Sequence, residues 1–186
     1  MKIFKTVALF LVVVAAVNAQ TTDKRIDEIR NLHDETKLRI AEADKQEQSS
    51  VFLVELKVNE RSNPYPAVGI YVSAVKFYYT YGDRERNPYP HRLLKIDVVV
   101  MRSSITTNAE FLYDIAGDLV FASVRTDGDQ PRETSAFFGR RQLIKMIDNK
   151  KDVNIKLRAV LETAEALKAE SARLNGLFKV SLAEGL

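Results

Sequence analysis

The chain contains no cysteine among its 186 residues. This absence excludes disulfide bonds, a thiol nucleophile and thiolate metal ligands together. It also excludes the cysteine that carries the lipid of a bacterial lipoprotein. The fold must therefore be stabilised by a packed core, and a chain of this length buries roughly two-thirds of its surface, which is enough for one domain.

Histidine is scarce, and the common enzyme signatures are missing. His33 and His91 are the only two histidines, and neither has a second histidine at metal-ligand spacing. The sequence has no Gly-x-Ser-x-Gly elbow, no phosphate-binding glycine loop and no dinucleotide fingerprint. We therefore predict no catalytic residue, no metal site and no cofactor, and we favour a protein that is not an enzyme.

Long apolar runs are limited to one short segment at the N-terminus. Lys2 and Lys5 precede an apolar run over Thr6–Val17, and the small residue Ala19 stands before Gln20. This pattern is typical of a cleavable signal peptide over 1–19, and a run of about 12 residues is too short to span a ~30 Å hydrocarbon core. We expect a single domain over 20–186 that is periplasmic or secreted and has no stable membrane insertion after cleavage.

The charge balance does not indicate a nucleic-acid partner. Without Lys2 and Lys5, the chain carries 26 basic residues against 25 acidic ones. Charges of both signs are interspersed, which is typical of an ordinary protein surface and not of a DNA or RNA interface. The sequence also lacks an Asn-x-Ser/Thr glycosylation site, which favours a bacterial origin.

Two helical segments enclose a stretch in which apolar residues alternate with polar ones. Alternation with period two predicts strands, and a period near 3.6 predicts helices. We expect an α+β domain in which an antiparallel sheet of about seven strands is flanked by an N-terminal and a C-terminal helix, both on one face of the sheet. The predicted helices are Lys24–Gln46 and a segment that begins near Asp152 and ends at Gly176. The predicted strands are Val51–Val58, Ala67–Tyr81, Arg92–Ser103, Ala109–Ile115, Asp118–Thr126, Arg132–Phe138 and Arg141–Asp148.

The last four strands form two predicted hairpins. Ala116-Gly117 joins the first pair and Gly139-Arg140 joins the second, and in both turns glycine would supply the backbone freedom that a tight turn needs. The segment Ala67–Tyr81 is apolar or aromatic on both faces, which predicts a strand that is covered on both sides.

These hairpins resemble those of small exported proteins of Bacteroidetes-type bacteria. The resemblance rests on Glu110–Ala122 and Phe137–Asp148, in which an aromatic strand, a glycine-containing turn and a strand ending in Ile-Asp recur. The signal ending in Asn18-Ala19-Gln20 is similar to signals from the same source. The resemblance implies location and topology, and it implies no role for any single residue.

The tetrapeptide Asn-Pro-Tyr-Pro occurs twice, over 63–66 and over 87–90. Prolines on both sides of a tyrosine fix an extended backbone and give the ring a preset direction. One interpretation is a pair of stiff turns at the same end of the sheet. The other is a paired tyrosine clamp, formed by Tyr65 and Tyr89, that holds a ligand.

Arginines and a histidine accompany these tyrosines, and together they form the predicted binding surface. Tyrosine and arginine are enriched where proteins bind other macromolecules. We therefore predict a non-enzymatic extracytoplasmic binding module whose partner is another envelope protein or a component of the cell envelope. The predicted contact residues are Tyr65, Arg84, Arg86, Tyr89, His91 and Arg92.

Two alternative functions remain open. An inhibitor of an envelope enzyme would present a rigid, exposed Pro-Tyr-Pro loop. A carboxylate-dependent hydrolase would use Asp97, Glu110 or Asp114, with two carboxylates converging in a cleft. Asp114 also flanks a predicted turn together with Asp118, where aspartates more often accept backbone hydrogen bonds than bind Ca²⁺.

Overall fold

The chain folds as a helix, a set of antiparallel strands and a second helix. The computed structural model describes residues 3–45, 49–66, 69–82, 85–86 and 90–183, with side chains in these ranges apart from 3–21, 90, 91 and 183. Helix α1 spans Ile3–Ala43 and helix α2 spans Arg158–Ala183. The strands are β1 (Phe52–Val58), β2 (Pro64–Tyr65), β3 (Gly69–Tyr81), β4 (Pro90–Arg102), β5 (Ile105–Tyr113), β6 (Leu119–Asp127), β7 (Arg132–Gly139), β8 (Gln142–Asp148) and β9 (Lys151–Asp152).

Helix α1 is longer than the sequence predicts. The sequence predicts a start at Lys24, but the helix begins at Ile3 and runs without a break through the predicted cleavage site. Its buried apolar contacts with the sheet come from Ile26, Ile29 and Ile40, which lie on one stripe of the helix. No helix within the described part of the chain is both long and apolar enough to cross a membrane.

The strands form one antiparallel sheet, which confirms the predicted α+β class. Among the described residues the strand order is β1-β3-β4-β5-β6-β7-β8-β9, and β2 pairs with the first residues of β3. The seven predicted strands are all present. The two additional strands, β2 and β9, are only two residues long each, which is too short for an alternating pattern to show.

The two helices cover opposite faces of this sheet, so the expectation that both lie on one face is wrong. On the α2 face, cross-strand neighbours form a continuous apolar row that packs against Leu174 and Phe178 of the helix. This row consists of Phe77, Ile96, Phe111, Ala122, Ala136 and Met146. Because side chains alternate across a strand, their chain neighbours point to the α1 face.

The α1 face has two smaller apolar clusters. Ile26 and Ile29 pack with Leu112, Val120 and Phe137 of the central strands. Farther along the helix, Ile40 packs with residues Val51, Tyr78 and Leu94 near the other edge of the sheet. Helix α1 therefore crosses its face diagonally. Residues 77–80 of β3 are all buried, as expected for a strand that is covered on both sides.

The predicted turns are present, but glycine supplies the unusual backbone angles in only one of them. Gly117 has φ +79°, as expected for the first hairpin. In the second hairpin the positive φ angles belong to Arg140 (51°) and Arg141 (65°), and not to Gly139. Gly176 does not end α2, which continues to Ala183. Glycine is a frequent but not an obligatory helix end, and the apolar face of α2 continues past it to Phe178.

Candidate functional site

The structure separates the predicted binding residues. Tyr65 lies in β2 opposite Gly69, where β3 begins, whereas Arg92 lies in β4 opposite Thr80, near the end of β3. Eleven residues of extended strand separate these two points, which corresponds to about 35 Å. We call the two ends of the sheet the Gly69 end and the Tyr81 end, after the first and last residues of β3. Tyr65 and Arg92 therefore lie near opposite ends of the sheet.

The two tetrapeptide repeats are likewise not at the same end. Pro64 pairs with Ile70 at the Gly69 end, whereas Pro90 pairs with Tyr81 at the Tyr81 end. Tyr89 itself lies outside the described residues, so the structure does not describe the tyrosine clamp. Tyr65 is exposed and its ring contacts the edge of the Tyr71 ring at a centroid distance of 6.5 Å.

Arg86 and Arg92 are the predicted residues that remain together at the Tyr81 end. Arg86 is exposed in the connection between β3 and β4. Arg84 lies outside the described residues, and for His91 only the backbone is described, in β4. At the Tyr81 end, the structure therefore describes the side chains of only two predicted contact residues, Arg86 and Arg92.

Arg92 points to the α1 face and has an unsatisfied donor. Its neighbour Leu93 packs into the core on the α2 face, so alternation along the strand directs Arg92 towards α1. The residue as a whole is half-buried, but its Nε atom is out of contact with water and has no hydrogen-bond partner. Among the described residues it is the only buried side-chain nitrogen or oxygen atom without a partner. Buried donors are normally paired, so this atom requires an explanation.

A second arginine makes the surroundings of Arg92 still less favourable. Burial lowers the pKa of Arg92, repulsion by Arg39 of α1 lowers it further, and Asp114 acts in the opposite direction. Asp114 forms no hydrogen bond with Arg92. Its Oδ1 atom accepts hydrogen bonds from the backbone of Ala116 (3.0 Å) and Asp118 (3.1 Å), and its Oδ2 atom contacts Arg25 at 3.4 Å.

Four charged or titratable side chains form a network beneath the C-terminal half of α1. His33 Nε2 lies 2.6 Å from Glu110 Oε1, and Lys95 Nζ lies 2.9 Å from the same oxygen. Lys95 Nζ also lies 3.0 Å from Asp97 Oδ1. Asp97 and Glu110 are direct cross-strand partners on β4 and β5, where two like charges would repel each other. The ammonium group of Lys95, which is 9% exposed, lies between them and offsets this repulsion.

The network shifts the two carboxyl groups in opposite directions. Burial is the largest influence on Glu110 and raises its pKa, but the hydrogen bond from His33 and the charge of Lys95 together lower that pKa to about 2. Burial raises the pKa of Asp97, and Lys95 only partly opposes this shift. Glu110 is therefore ionised, and His33 Nε2 donates the hydrogen bond between them.

This arrangement restricts what the carboxylates can do chemically. Asp97 and Glu110 do come together, as the hydrolase alternative requires, but their facing oxygens are held by Lys95 and His33. Asp114 and Asp118 form a turn, and Asp118 Oδ1 accepts a hydrogen bond from Arg141 Nε at 2.8 Å. The described residues contain no group of three or more side chains that could hold a metal ion.

A small cavity lies beside the network. It has a volume of about 280 Å³ and is lined by residues of α1 and of the strands β6, β7 and β8. Phe121 and Phe137 form an edge contact at 5.1 Å in its wall, and the His33 ring lies 5.2 Å from Phe121. The imidazole of His33 thus connects the charged network with a partly aromatic cavity.

Sequence reasoning identified Asp97 and Glu110 but missed the residues that engage them. The sequence singles out His33 only as one of two histidines, and it gives no reason to select Lys95. The alternation Lys95-x-Asp97 does place both side chains on one face of β4. Their contact with Glu110 depends on the register of β4 and β5, and their contact with His33 depends on the path of α1, neither of which the sequence pattern contains.

The chain was compared with protein-family models, curated proteins and solved structures. No protein-family model, curated protein or solved structure matches the chain.

Proposed function

We propose that this protein is a non-enzymatic binding module that contacts an anionic envelope component or envelope protein at the Tyr81 end of its sheet. The observation that carries the proposal is the pair Arg92 and Arg39. Arg92 has a buried donor without a partner, and its guanidinium group is repelled by that of Arg39. An arrangement that is unfavourable in the free protein becomes favourable when a partner supplies negative charge and hydrogen-bond acceptors.

Export from the cytoplasm belongs to the same proposal. Cleavage after Ala19 would release a chain that begins at Gln20. Among the side chains of α1 that the structure describes, which start at residue 22, the first that is buried against the sheet is Ile26. N-terminal sequencing of the protein recovered from outside the cytoplasm of a bacterial host should therefore give Gln20 as the first residue. Recovery of a chain that still begins at Met1 contradicts cleavage.

The binding proposal is tested by capture of a partner. The chain is immobilised and exposed to a bacterial envelope extract at low salt, beside the variants Arg92→Gln and Arg125→Gln. Arg125 is the control because it is exposed and already paired with Asp127 at 2.9 Å. We expect a partner that the wild type and Arg125→Gln retain and that Arg92→Gln loses. Equal retention by all three proteins, with equal circular dichroism spectra, would exclude Arg92 as a contact residue.

The hydrolase is the second candidate, and one observation favours it. The pKa values of Asp97 and Glu110 are shifted apart, which is the pattern of a general acid beside an ionised carboxylate. Their engagement by Lys95 and His33 counts against it. If the network is catalytic, Glu110→Gln abolishes hydrolysis of a glycoside or ester panel that the wild type cleaves. If neither protein cleaves any member of the panel, this candidate loses its support.

The inhibitor alternative depends on Tyr65. This residue is exposed, and its backbone is fixed by pairing with β3, as a rigid inhibitory segment would require. It predicts that Tyr65→Ala relieves inhibition of an envelope hydrolase, whereas Arg92→Gln does not. The opposite ranking of these two variants would support the arginine surface instead.

A further inference from the structure

We propose that Arg39 and Arg92 together form a binding site for a single oxyanion, either a phosphate or a carboxylate group, held between α1 and β4. This inference rests on the proposed function and names the chemistry of its site. It also assigns a role to Arg39, which sequence analysis did not select.

The two arginines are contributed by elements that face each other. Ile40, the residue after Arg39, packs with Leu94, which lies two residues after Arg92 on β4. Arg39 is half-buried, and it forms no hydrogen bond or ion pair with any residue that the structure describes. Acidic residues engage arginines elsewhere in the molecule, as Asp148 does with Arg132 at 3.0 Å. Neither Arg39 nor Arg92 has such a hydrogen-bonded acidic partner among the residues that the structure describes.

Polar side chains accompany the pair on both elements. Thr36 precedes Arg39 by about one helical turn and is 4% exposed, and Thr80 is the cross-strand partner of Arg92 and is 8% exposed. Two cations flanked by buried hydroxyl-bearing residues are well suited to an oxyanion and poorly suited to an apolar ligand. A planar guanidinium group also binds a phosphate or carboxylate with two parallel hydrogen bonds, which a lysine in the same place could not do.

An oxyanion would remove both unfavourable features together. Its oxygens would accept the hydrogen bond that Arg92 Nε lacks, and its charge would offset the repulsion between the two guanidinium groups. Asp114 does not take this role in the structure, since it forms no hydrogen bond with Arg92, and its oxygens contact the turn and Arg25. Binding of the oxyanion would therefore also fasten α1 to β4.

The test is isothermal titration of the full chain with inorganic phosphate and with acetate at low ionic strength. We expect binding of at least one of the two anions to the wild type and to the control Arg125→Gln. Arg92→Leu and Arg39→Gln should each weaken that binding at least about tenfold, because a charge-assisted hydrogen bond is lost. Absence of binding by both anions, or equal binding by all variants, overturns the proposal.

Thermal unfolding of the same proteins without anion separates this role from a structural one. Arg92 is half-buried and its Nε atom has no hydrogen-bond partner, so the melting temperature of Arg92→Leu should be equal to or above that of the wild type. A lower melting temperature would mean that Arg92 stabilises the fold and overturns the assignment for this residue. Arg39 is only half-buried on α1, so Arg39→Gln keeps the anion titration decisive if Arg92→Leu does not fold.

A lipid headgroup and a dissolved anion present the same chemistry, and a vesicle arm distinguishes them. Binding to phosphatidylglycerol vesicles and not to phosphatidylcholine vesicles, lost in Arg92→Leu, identifies the source as a lipid. Binding of the dissolved anion without binding to vesicles identifies a soluble solute.

A partner captured from the envelope extract by a protein that binds no oxyanion would overturn this inference and leave the proposed function standing. Oxyanion binding without any captured partner would support this inference and overturn the proposed function.

Discussion

Replacement of Lys95 by methionine should destabilise the protein strongly, because it would leave two carboxylates facing each other without the charge between them. Lys95 Nζ lies within 3.0 Å of both Glu110 and Asp97. Removing one partner of a fully buried ion pair costs about 3–5 kcal/mol. The two carboxyl side chains are 20% and 30% exposed, so we expect a lower loss of about 2–3 kcal/mol at pH 7.

The loss should also depend on pH. The folded-state pKa of Asp97 is already raised by burial, and removal of Lys95 raises it further. A group with a raised folded-state pKa contributes stability at pH values below its unfolded pKa, and that contribution is lost as the pH rises through the folded pKa. Asp97 should therefore take up a proton in the variant as the pH falls, which removes its repulsion of Glu110. We expect Lys95→Met to be less destabilising at pH 5 than at pH 8.

Urea unfolding followed by far-ultraviolet circular dichroism measures both effects. Lys145→Met is the matched control, since Lys145 lies on the same face of the sheet and pairs with the exposed Asp152 at 2.9 Å. It should cost less than about 1 kcal/mol. A loss below about 0.5 kcal/mol for Lys95→Met, or a loss that is the same at both pH values, would refute the role given to the Lys95 ammonium group.

Three further predictions concern other parts of the fold. Burial raises the pKa of Tyr78 and of Tyr113 from 10.0 to about 12. Their contribution to the free energy of unfolding should therefore be complete below pH 10 and lost between about pH 10 and 12, as measured by urea unfolding at each pH. The loss over this range should be smaller in Tyr113→Phe. Arg140→Asn combined with Arg141→Gly should raise the free energy of unfolding by about 1 kcal/mol, because both positions have positive φ angles; an unchanged urea midpoint would contradict this. Phe178→Ala should cost about 3–5 kcal/mol in the same assay, since this ring packs against Phe77 at 5.4 Å, and a cost below 1 kcal/mol would exclude a central role for it.

The strands and their class could be predicted because the signal for them is local. Alternation of apolar and polar residues identified all seven long strands, and two apolar faces indicated burial on both sides of β3, which the structure shows for residues 77–80. The two-residue strands contain no period to detect. The start of β5 at Ile105 was missed because Ser103, which has φ 53°, forms the turn after β4 without a glycine.

The relative placement of residues was harder to predict. The repeats at 63–66 and 87–90 precede β3 and β4, and successive antiparallel strands begin at opposite ends of a sheet. Their separation therefore followed from the predicted topology itself, and the expectation of a common end was inconsistent with it. The choice of face for α1 is different, because it depends on which apolar surface of the completed sheet α2 leaves uncovered, and no local pattern contains that information.

The two faces of the sheet differ in a way that bears on function. The α2 face is a continuous apolar layer, whereas the α1 face has two small apolar clusters with the charged network between them. Apolar packing is insensitive to charge, but contacts such as those of His33, Lys95 and Arg92 depend on which charges are present. Helix α1 is consequently the element whose attachment to the sheet a bound anion would strengthen, and this is why we place the ligand site beneath α1 and not beneath α2.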